Sequence, residues 1–187
     1  MIIADSTPGR ININQIKNNI NLAEENVIFK RYQGQTADEI SYYAPKPLND
    51  TKPEQVVVIA GTNDMSKAVY TGETIDEYKI VENVRKIGVA ARDCGAKRIH
   101  ISSVLVRRGH EYRNAIVRIN NLLRTMCNEE RFIFMDQSDI TSAHISGDGI
   151  HPNFNGSTIL KHNILSVFST FNPYICDFGV EYERALF

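Results

Sequence analysis

The chain has 187 residues, close to the length of one compact domain, and its hydrophobic (42%) and charged (23%) fractions are ordinary for a globular protein. Its formal net charge of −1 argues against binding to nucleic acid through this domain alone, because such proteins usually carry a strongly basic surface. The cysteines, Cys94, Cys127 and Cys176, have no close spacing. They are therefore expected to be free thiols in a reducing compartment rather than a disulfide framework or a zinc site.

Neither a signal peptide nor a membrane span is expected from the sequence. No run approaches the roughly 18 apolar residues that span a bilayer, and the first residues lack the pattern of a signal peptide. A cytoplasmic location is expected, and the abrupt start suggests a domain taken from a longer protein. Residues 1–171 are predicted to form the domain, and the aromatic tail 172–187 either packs on it or is disordered.

Short apolar runs alternate along the chain with amphipathic stretches. The runs have the length and composition of strands buried on both faces of a parallel sheet; they are Met1–Ala4, Val27–Arg31, Gln55–Ala60, Arg98–Ser103 and Phe132–Asp136. Apolar residues spaced by three and four predict the helices Ile11–Glu25, Thr36–Tyr43, Thr74–Cys94, Arg113–Asn128 and Asn155–Phe168. This alternation predicts a three-layer α/β/α domain with a five-stranded parallel sheet in the flavodoxin-like order 2-1-3-4-5.

Two helix starts and one helix end carry local signals. Thr-x-x-Glu begins the second helix at Thr36 and the third at Thr74, and in each case it predicts a capping box. Gly95 is placed where the third helix is expected to end, because glycine readily adopts the left-handed conformation that follows a helix.

Polar residues follow the predicted strands where a parallel sheet binds its ligands, beyond the carboxyl ends. Ser6 follows the first strand, although Asp-Ser-Thr is equally an ordinary helix cap. Gly34 follows the second strand, where its lack of a side chain would let a backbone N–H approach a ligand, although a turn that needs positive φ is by itself the favoured explanation. Asn63 and Asp64 follow the third strand; the amide can donate to an oxyanion, whereas the carboxylate is expected to cap the following turn or to brace the loop.

The segment before the last helix combines a carboxylate with an imidazole. Asp148 lies three residues before His151, and Pro152 keeps the histidine in an extended conformation. A carboxylate bonded to one ring nitrogen leaves the other free to take a proton from a serine. The remaining histidines lack such a partner and are expected to be structural or exposed: His100, His110, His144 and His162.

In this order the four segments resemble the blocks of the SGNH (GDSL-like) hydrolase family, over roughly residues 2 to 168. The matching residues are Ala4-Asp5-Ser6, Gly34, Gly61-Thr62-Asn63-Asp64 and Asp148-Gly149-Ile150-His151. The resemblance implies a serine esterase without cofactor or metal, with Ser6 as nucleophile, His151 as general base and acid, and Asp148 orienting the imidazole. It implies an oxyanion hole made by the backbone N–H groups of Ser6 and Gly34 and the side chain of Asn63.

One position departs from the family pattern: Ala4 stands where the first block normally has glycine, which puts a methyl group beside the nucleophile. Other stretches are similar to a narrower group, the esterase domains in the first open reading frame of certain animal non-LTR retrotransposons. They are Val58–Asp64, Ile101–Arg108, Phe132–Asp136 and Asp148–Gly156.

Three functions therefore stay open. An esterase would act on a small-molecule, lipid or carbohydrate ester, and a short acyl group is favoured because no long insertion predicts a lid. A scaffold that kept the fold without turnover, in a nucleoprotein particle, would use the basic residues Arg107, Arg108, Arg113 and Arg118, which are otherwise expected on a solvated loop and helix face. A flavodoxin-like phosphate binder ranks last, because Asp5 puts an acid where the anion would lie. The oligomeric state does not follow from the sequence.

Overall fold

The computed structural model describes residues 1–9, 11 and 27–169. Its sheet has five parallel strands in the order β2-β1-β3-β4-β5, which confirms the predicted 2-1-3-4-5 topology. The strands are β1 Ile2–Ala4, β2 Phe29–Arg31, β3 Gln55–Ile59, β4 Arg98–Ser102 and β5 Ile133–Met135. Each is one or two residues shorter than the predicted run. The predicted helix Ile11–Glu25, apart from its first residue, and the tail 172–187 lie outside the described residues.

The central strands are buried on both faces, as their continuous apolar composition predicted. On β1, Ile3 packs with one apolar cluster while Ile2 and Ala4 pack with another. On β3, Val56 and Val58 belong to the first cluster, and the alternate residues belong to the second. The period of two along each strand therefore directs successive side chains to the helical layers on opposite faces of the sheet.

The described helices surround this sheet. They are α1 Ala37–Tyr43, α2 Pro45–Thr51, α3 Thr62–Thr71, α4 Glu77–Asp93, α5 His110–Glu130 and α6 Phe154–Ser169, with a short 3-10 helix at Ser142–His144. The predicted capping box of Thr36 with Glu39 is present at the start of α1. Gly95 has φ +97° directly after α4, as its predicted role requires. None of the helices in the described part of the chain is long and apolar enough to cross a membrane.

The predicted start of the third helix was wrong. Thr74 does not cap α4, because the helix begins at Glu77 and the Asp76 carboxylate accepts the backbone N–H of Lys79 at 3.0 Å. A carboxylate caps a helix at least as well as a threonine. Its negative charge also interacts favourably with the positive, N-terminal end of the helix dipole.

Two helices, α2 and α3, were missing from the sequence-based prediction. The second matters for function, because it converts the predicted loop after β3 into the first turn of a helix. Gly61 makes this possible: its φ of +109° turns the chain directly from β3 into α3. Threonine, asparagine and aspartate suggested a loop, but these residues are equally favoured at the start of a helix.

Candidate active site

Asp148 and His151 are hydrogen bonded in the loop before α6. The Oδ2 atom of Asp148 lies 2.9 Å from Nδ1 of His151. The other carboxylate oxygen, Oδ1, accepts from the Ser146 hydroxyl at 2.7 Å and from the backbone N–H groups of Ile150 and His151 at 2.8 and 3.0 Å. Partial burial opposes ionisation, but these hydrogen bonds lower the pKa of Asp148 well below its usual range. The carboxylate is therefore a fixed, charged acceptor for the imidazole.

This loop is held against the rest of the domain at several points. Ile145 and Pro152 form an antiparallel bridge across it, and the side chain of Asn153 donates to the carbonyl of Ala143 at 2.9 Å. The backbone N–H of Arg108, in the loop after β4, donates to the carbonyl of Gly149 at 2.9 Å. The backbone of the loop that carries Asp148 and His151 is therefore constrained from both sides.

A second anchor point is the buried carboxylate of Asp5, directly before Ser6. Its Oδ1 atom accepts the backbone N–H of Thr7 at 2.7 Å, and the backbone N–H of Thr62 at the start of α3 also donates to this carboxylate. Burial raises the pKa of Asp5, and these hydrogen bonds oppose that effect. The hydroxyls of Thr7 and Thr62 also meet at 3.2 Å. These contacts hold the loop after β1 against the start of α3.

The residues predicted to bind an oxyanion lie near this anchor. The backbone N–H groups of Ser6 and Gly34 donate to no group in the described part of the chain, and Gly34 has a φ of +76°. One amide N–H of Asn63 donates to the carbonyl of Gln35 at 2.9 Å, which leaves the second for another acceptor. Gly34, Asn63 and Ile150 line one cavity of about 660 Å³. The segments that carry the second, third and last blocks therefore meet at one cavity.

Ser6 itself is partly exposed at the end of β1. Among the hydrogen bonds of residues 1–9 and 27–169, none joins its hydroxyl to His151. The methyl group of Ala4 is fully buried in the apolar cluster that also contains Val57 and Leu105. The methyl group therefore packs into the core of the domain, and the departure from glycine is accommodated there.

Asp64 braces the loop after β2, which is one of the two structural roles expected for it. Its Oδ2 atom accepts the backbone N–H of Ala37, the first residue of α1, at 2.8 Å. Burial raises the pKa of Asp64 to about 6, although the hydrogen bond from Ala37 opposes this. Because Asn63 donates to Gln35 in the same loop, two neighbouring residues of α3 fix the position of Gly34.

Arg107 is the residue that the sequence analysis misplaced. It is only 5% exposed, and its Nη1 atom donates to the carbonyl of Thr62 at 2.9 Å and to the hydroxyl of Ser66 at 2.6 Å. Arg108, Arg113 and Arg118 are exposed, as expected, and Arg118 pairs with Glu77 at 2.6 Å. No local pattern distinguishes a buried arginine from the neighbouring exposed ones, so only the tertiary structure identifies it.

The other described histidines have structural surroundings or are exposed. His100 is buried against Gln55, with its Nε2 atom 2.9 Å from the amide nitrogen, and burial lowers its pKa to about 4. His144 accepts the backbone N–H of Thr141 at 3.0 Å. Within the described ranges, no group of histidine, cysteine and carboxylate side chains is arranged to hold a metal ion.

Comparisons with known proteins support the fold. A GDSL-like lipase from Bacteroides thetaiotaomicron has a TM-score of 0.70 at 17% identity, covering 91% of this chain and 87% of its own. A carbohydrate esterase family 3 protein from Talaromyces cellulolyticus has a TM-score of 0.72 at 15% identity, covering 91% of this chain and 96% of its own. A catalytic mutant of an acetylxylan esterase from Geobacillus stearothermophilus has a TM-score of 0.71 at 14% identity, covering 89% of this chain and 92% of its own.

No family model and no curated protein sequence matches the chain. At such low identities the similarity is one of structure, and it confirms that the domain has the α/β fold of the GDSL-like hydrolases. The roles of individual residues and the likeness to retrotransposon domains remain predictions.

Asp64 predicts a pH dependence of stability. Its pKa is higher in the folded protein than the ordinary value of 3.8, so its contribution to folding is complete below that pH and is lost as the pH rises through about 6. Urea unfolding at pH 4 and at pH 7 measures this effect. Between these pH values the free energy of unfolding should fall by about 2–3 kcal/mol more in wild type than in Asp64→Asn. Glu73→Gln, at an exposed carboxylate, should follow wild type. Equal pH slopes for wild type and Asp64→Asn would contradict the burial of this charge.

Gly156 predicts how tightly the Asp148–His151 loop is packed. A Cβ atom at this position would collide with the backbone carbonyl of His144. A backbone carbonyl cannot move aside as the end of a flexible side chain can. Gly156→Ala should therefore reduce the free energy of unfolding by about 1–3 kcal/mol. Gly147→Ala, whose added Cβ meets nothing within 4 Å, is the matched control and should unfold like wild type. Both are measured by thermal or urea unfolding, and equal losses would show that the loop is not packed as described.

Proposed function

We propose that this protein is a serine esterase that hydrolyses carboxylic esters through an acyl-enzyme, with Ser6, His151 and Asp148 as its triad. The observation that carries the proposal is the hydrogen bond of 2.9 Å between Asp148 and His151, because it fixes one imidazole nitrogen and leaves the other to accept a proton. Ser6 and Gly34 follow neighbouring strands at the same edge of the sheet, and their backbone N–H groups have no partner among the described residues.

The reaction follows from these groups. His151 Nε2 takes the hydroxyl proton of Ser6 while Oγ attacks the ester carbonyl, and the resulting oxyanion accepts hydrogen bonds from Ser6 N–H, Gly34 N–H and Asn63 Nδ2. His151 then protonates the departing alcohol as the C–O bond breaks. Water attacks the acyl-enzyme, His151 removes its proton, and the acid leaves as Ser6 recovers its own.

The one contact that this mechanism still needs is the hydrogen bond between Ser6 and His151. Catalytic hydrogen bonds are often long in the free enzyme and shorten in the substrate complex, so its absence here is compatible with activity. The partly exposed position of both side chains leaves room for such an adjustment.

The favoured substrates are esters of short acids, such as acetyl groups on sugars. The cavity at Gly34 and Asn63 is open, and the described residues contain no long insertion between the strands that would cover a lipid tail. Two structural neighbours are described as an acetylxylan esterase and a carbohydrate esterase. Purified protein should cleave p-nitrophenyl acetate faster than long-chain p-nitrophenyl esters; the opposite preference would contradict the short-acyl part of the proposal.

The alternatives have weaker support. A scaffold would need the free charge of these basic residues at the surface, whereas Arg107 is buried and the charge of the exposed Arg118 is paired with Glu77. A phosphate binder would need several free backbone N–H groups after β1, but the N–H of Thr7 is already bound to the Asp5 carboxylate, which leaves only that of Ser6 between Asp5 and Thr7. Acidic groups repel phosphate at such a position.

Labelling of Ser6 distinguishes an enzyme from a scaffold. A fluorophosphonate probe should label the wild-type protein at Ser6, because the probe reacts with an activated serine, and Ser6→Ala should abolish the labelling. Turnover of p-nitrophenyl acetate should fall by several orders of magnitude in the same variant. Ser41→Ala, at a serine whose hydroxyl donates to the carbonyl of Asp38 within α1, is the control and should be labelled like wild type. Labelling that survives in Ser6→Ala would exclude Ser6 as the nucleophile.

Asn63 tests the oxyanion hole separately. Asn63→Ala removes one of the proposed donors and should reduce kcat about 10²–10³-fold, with a smaller change in KM, because the donor acts mainly on the transition state. The variant also loses the hydrogen bond to Gln35, so its unfolding is measured in parallel. An unchanged kcat in a folded Asn63→Ala protein would remove this residue from the mechanism.

A further inference from the structure

Two buried charged groups that the proposed mechanism does not use both bind the backbone of Thr62. The N–H of Thr62 donates to the carboxylate of Asp5, and its carbonyl accepts from Nη1 of Arg107 at 2.9 Å. Asp5 has no exposed surface, and Arg107 is only 5% exposed. Because the two side chains bind the N–H and the carbonyl of a single residue, the carboxylate and the guanidinium lie close together in the interior.

Both charged groups have buried polar atoms without a partner among the described residues. On Asp5 the atom is the acceptor Oδ2, and on Arg107 the atoms are the donors Nε and Nη2. Unpaired polar atoms are costly in the interior, and unpaired charges cost more. The carboxylate of Asp64 adds a second negative charge next to that of Asp5, which increases the need for a cation. The unpaired atoms of Asp5 and Arg107 are complementary in charge and in hydrogen-bonding role.

Of the carboxylates whose fields act on Arg107, that of Asp5 is the buried one. The carboxylates of Asp148 and Glu111 act on it as well, but both of these residues are exposed. Asp148 is also hydrogen bonded within its own loop. The ring of Tyr112 stacks 4.7 Å from the guanidinium carbon and supplies no negative charge to balance it. Because an attraction between buried charges is screened less than one at the surface, Asp5 is the strongest partner for this cation.

We propose that Arg107 is a positioning residue for the proposed active site and that it acts as the buried counter-ion of Asp5. The pair holds Thr62 between its two charges and thereby fixes the loop after β1 against the first turn of α3. Ser6 directly follows Asp5 in the sequence. Asn63 directly follows Thr62, so the pair sets the distance between the proposed nucleophile and an oxyanion donor. This inference rests on the proposed esterase function, but it requires no contact between Arg107 and the substrate.

Urea unfolding of single and double variants tests whether the two charges form a pair. Asp5→Asn and Arg107→Gln each leave one buried charge without its counter-ion, so each should lower the midpoint of unfolding. Asp5→Asn keeps an oxygen that can accept the backbone N–H of Thr7. The double variant leaves no charge alone, and its midpoint should therefore lie at or above that of the less stable single variant. Losses that simply add in the double variant overturn the inference.

Steady-state kinetics with p-nitrophenyl acetate test whether the pair positions the site. Each single variant should lower kcat about 10- to 100-fold with little change in KM, because a displacement of Ser6 or Asn63 affects the transition state more than substrate binding. The double variant should regain about tenfold in kcat over Arg107→Gln, since no buried charge is left unbalanced. An unchanged kcat in a folded Arg107→Gln protein overturns the positioning role.

Arg107→Lys separates the charge of this residue from its hydrogen bonds. Lysine keeps a positive charge beside Asp5 but lacks the planar guanidinium, so this variant should keep about tenfold more kcat than Arg107→Gln. Equal losses in the two variants contradict a counter-ion. If a single variant does not fold, the double variant decides the question: its folding is the rescue that a charge pair predicts, and its failure to fold overturns the inference.

The exposed ion pair of Lys97 and Glu54 provides the matched control. Its atoms lie 2.8 Å apart, before the first residues of β4 and β3 and so at the opposite edge of the sheet. Lys97→Gln, Glu54→Gln and their double variant should show small, additive losses of stability and the kcat of wild type. Rescue in the Asp5–Arg107 double variant without turnover of any ester by wild type would refute the esterase, and with it the positioning role, and keep the buried pair. Turnover by wild type with additive losses in that double variant would keep the esterase and refute the pair.

Discussion

The buried carboxylate of Asp5 is the interaction on which the rest of the site depends. A carboxylate removed from water is unstable unless it accepts hydrogen bonds, and here the backbone N–H groups of Thr7 and Thr62 stabilise it, while its Oδ2 atom has no partner among the described residues. The two donors belong to the loop after β1 and to the first turn of α3. Because Ser6 precedes one donor and Asn63 follows the other, a single side chain fixes the proposed nucleophile and an oxyanion donor relative to each other.

The three acidic residues around the site differ in pKa because their surroundings differ. Burial raises the pKa of Asp5 and Asp64, whereas hydrogen bonds from Ser146, Ile150 and His151 lower that of Asp148. Asp148, which is bonded to the imidazole, is therefore the carboxylate that stays charged most readily. A general base such as His151 requires this negative charge for the stabilisation of its protonated form. The other two act through geometry, as acceptors that join loops to helix starts.

The sheet and the four polar segments could be predicted from the sequence because each depends on local pattern. Continuous apolar runs indicated β1 and β3, and parallel strands bring their carboxyl ends to one edge, so Gly34 and Asn63 were expected close together. The first turn of α3 was missed, because Thr62, Asn63 and Asp64 are compatible with both a loop and a helix start. The positive φ of Gly61 decides between them, and φ is not a property of the sequence pattern.

Arg107 could not be predicted for a different reason: its burial depends on partners 41 and 45 positions away, at Ser66 and Thr62. Together with its neighbour it connects the two halves of the site. The side chain of Arg107 binds the carbonyl of Thr62, in the half that contains Asn63, while the backbone N–H of Arg108 binds the carbonyl of Gly149, in the half that contains His151. Two consecutive residues of the loop after β4 therefore link the oxyanion donors to the imidazole. Any movement that brings Ser6 and His151 into hydrogen-bonding distance has to be accommodated by this loop, which makes the β4–α5 connection the structural determinant of the proposed triad.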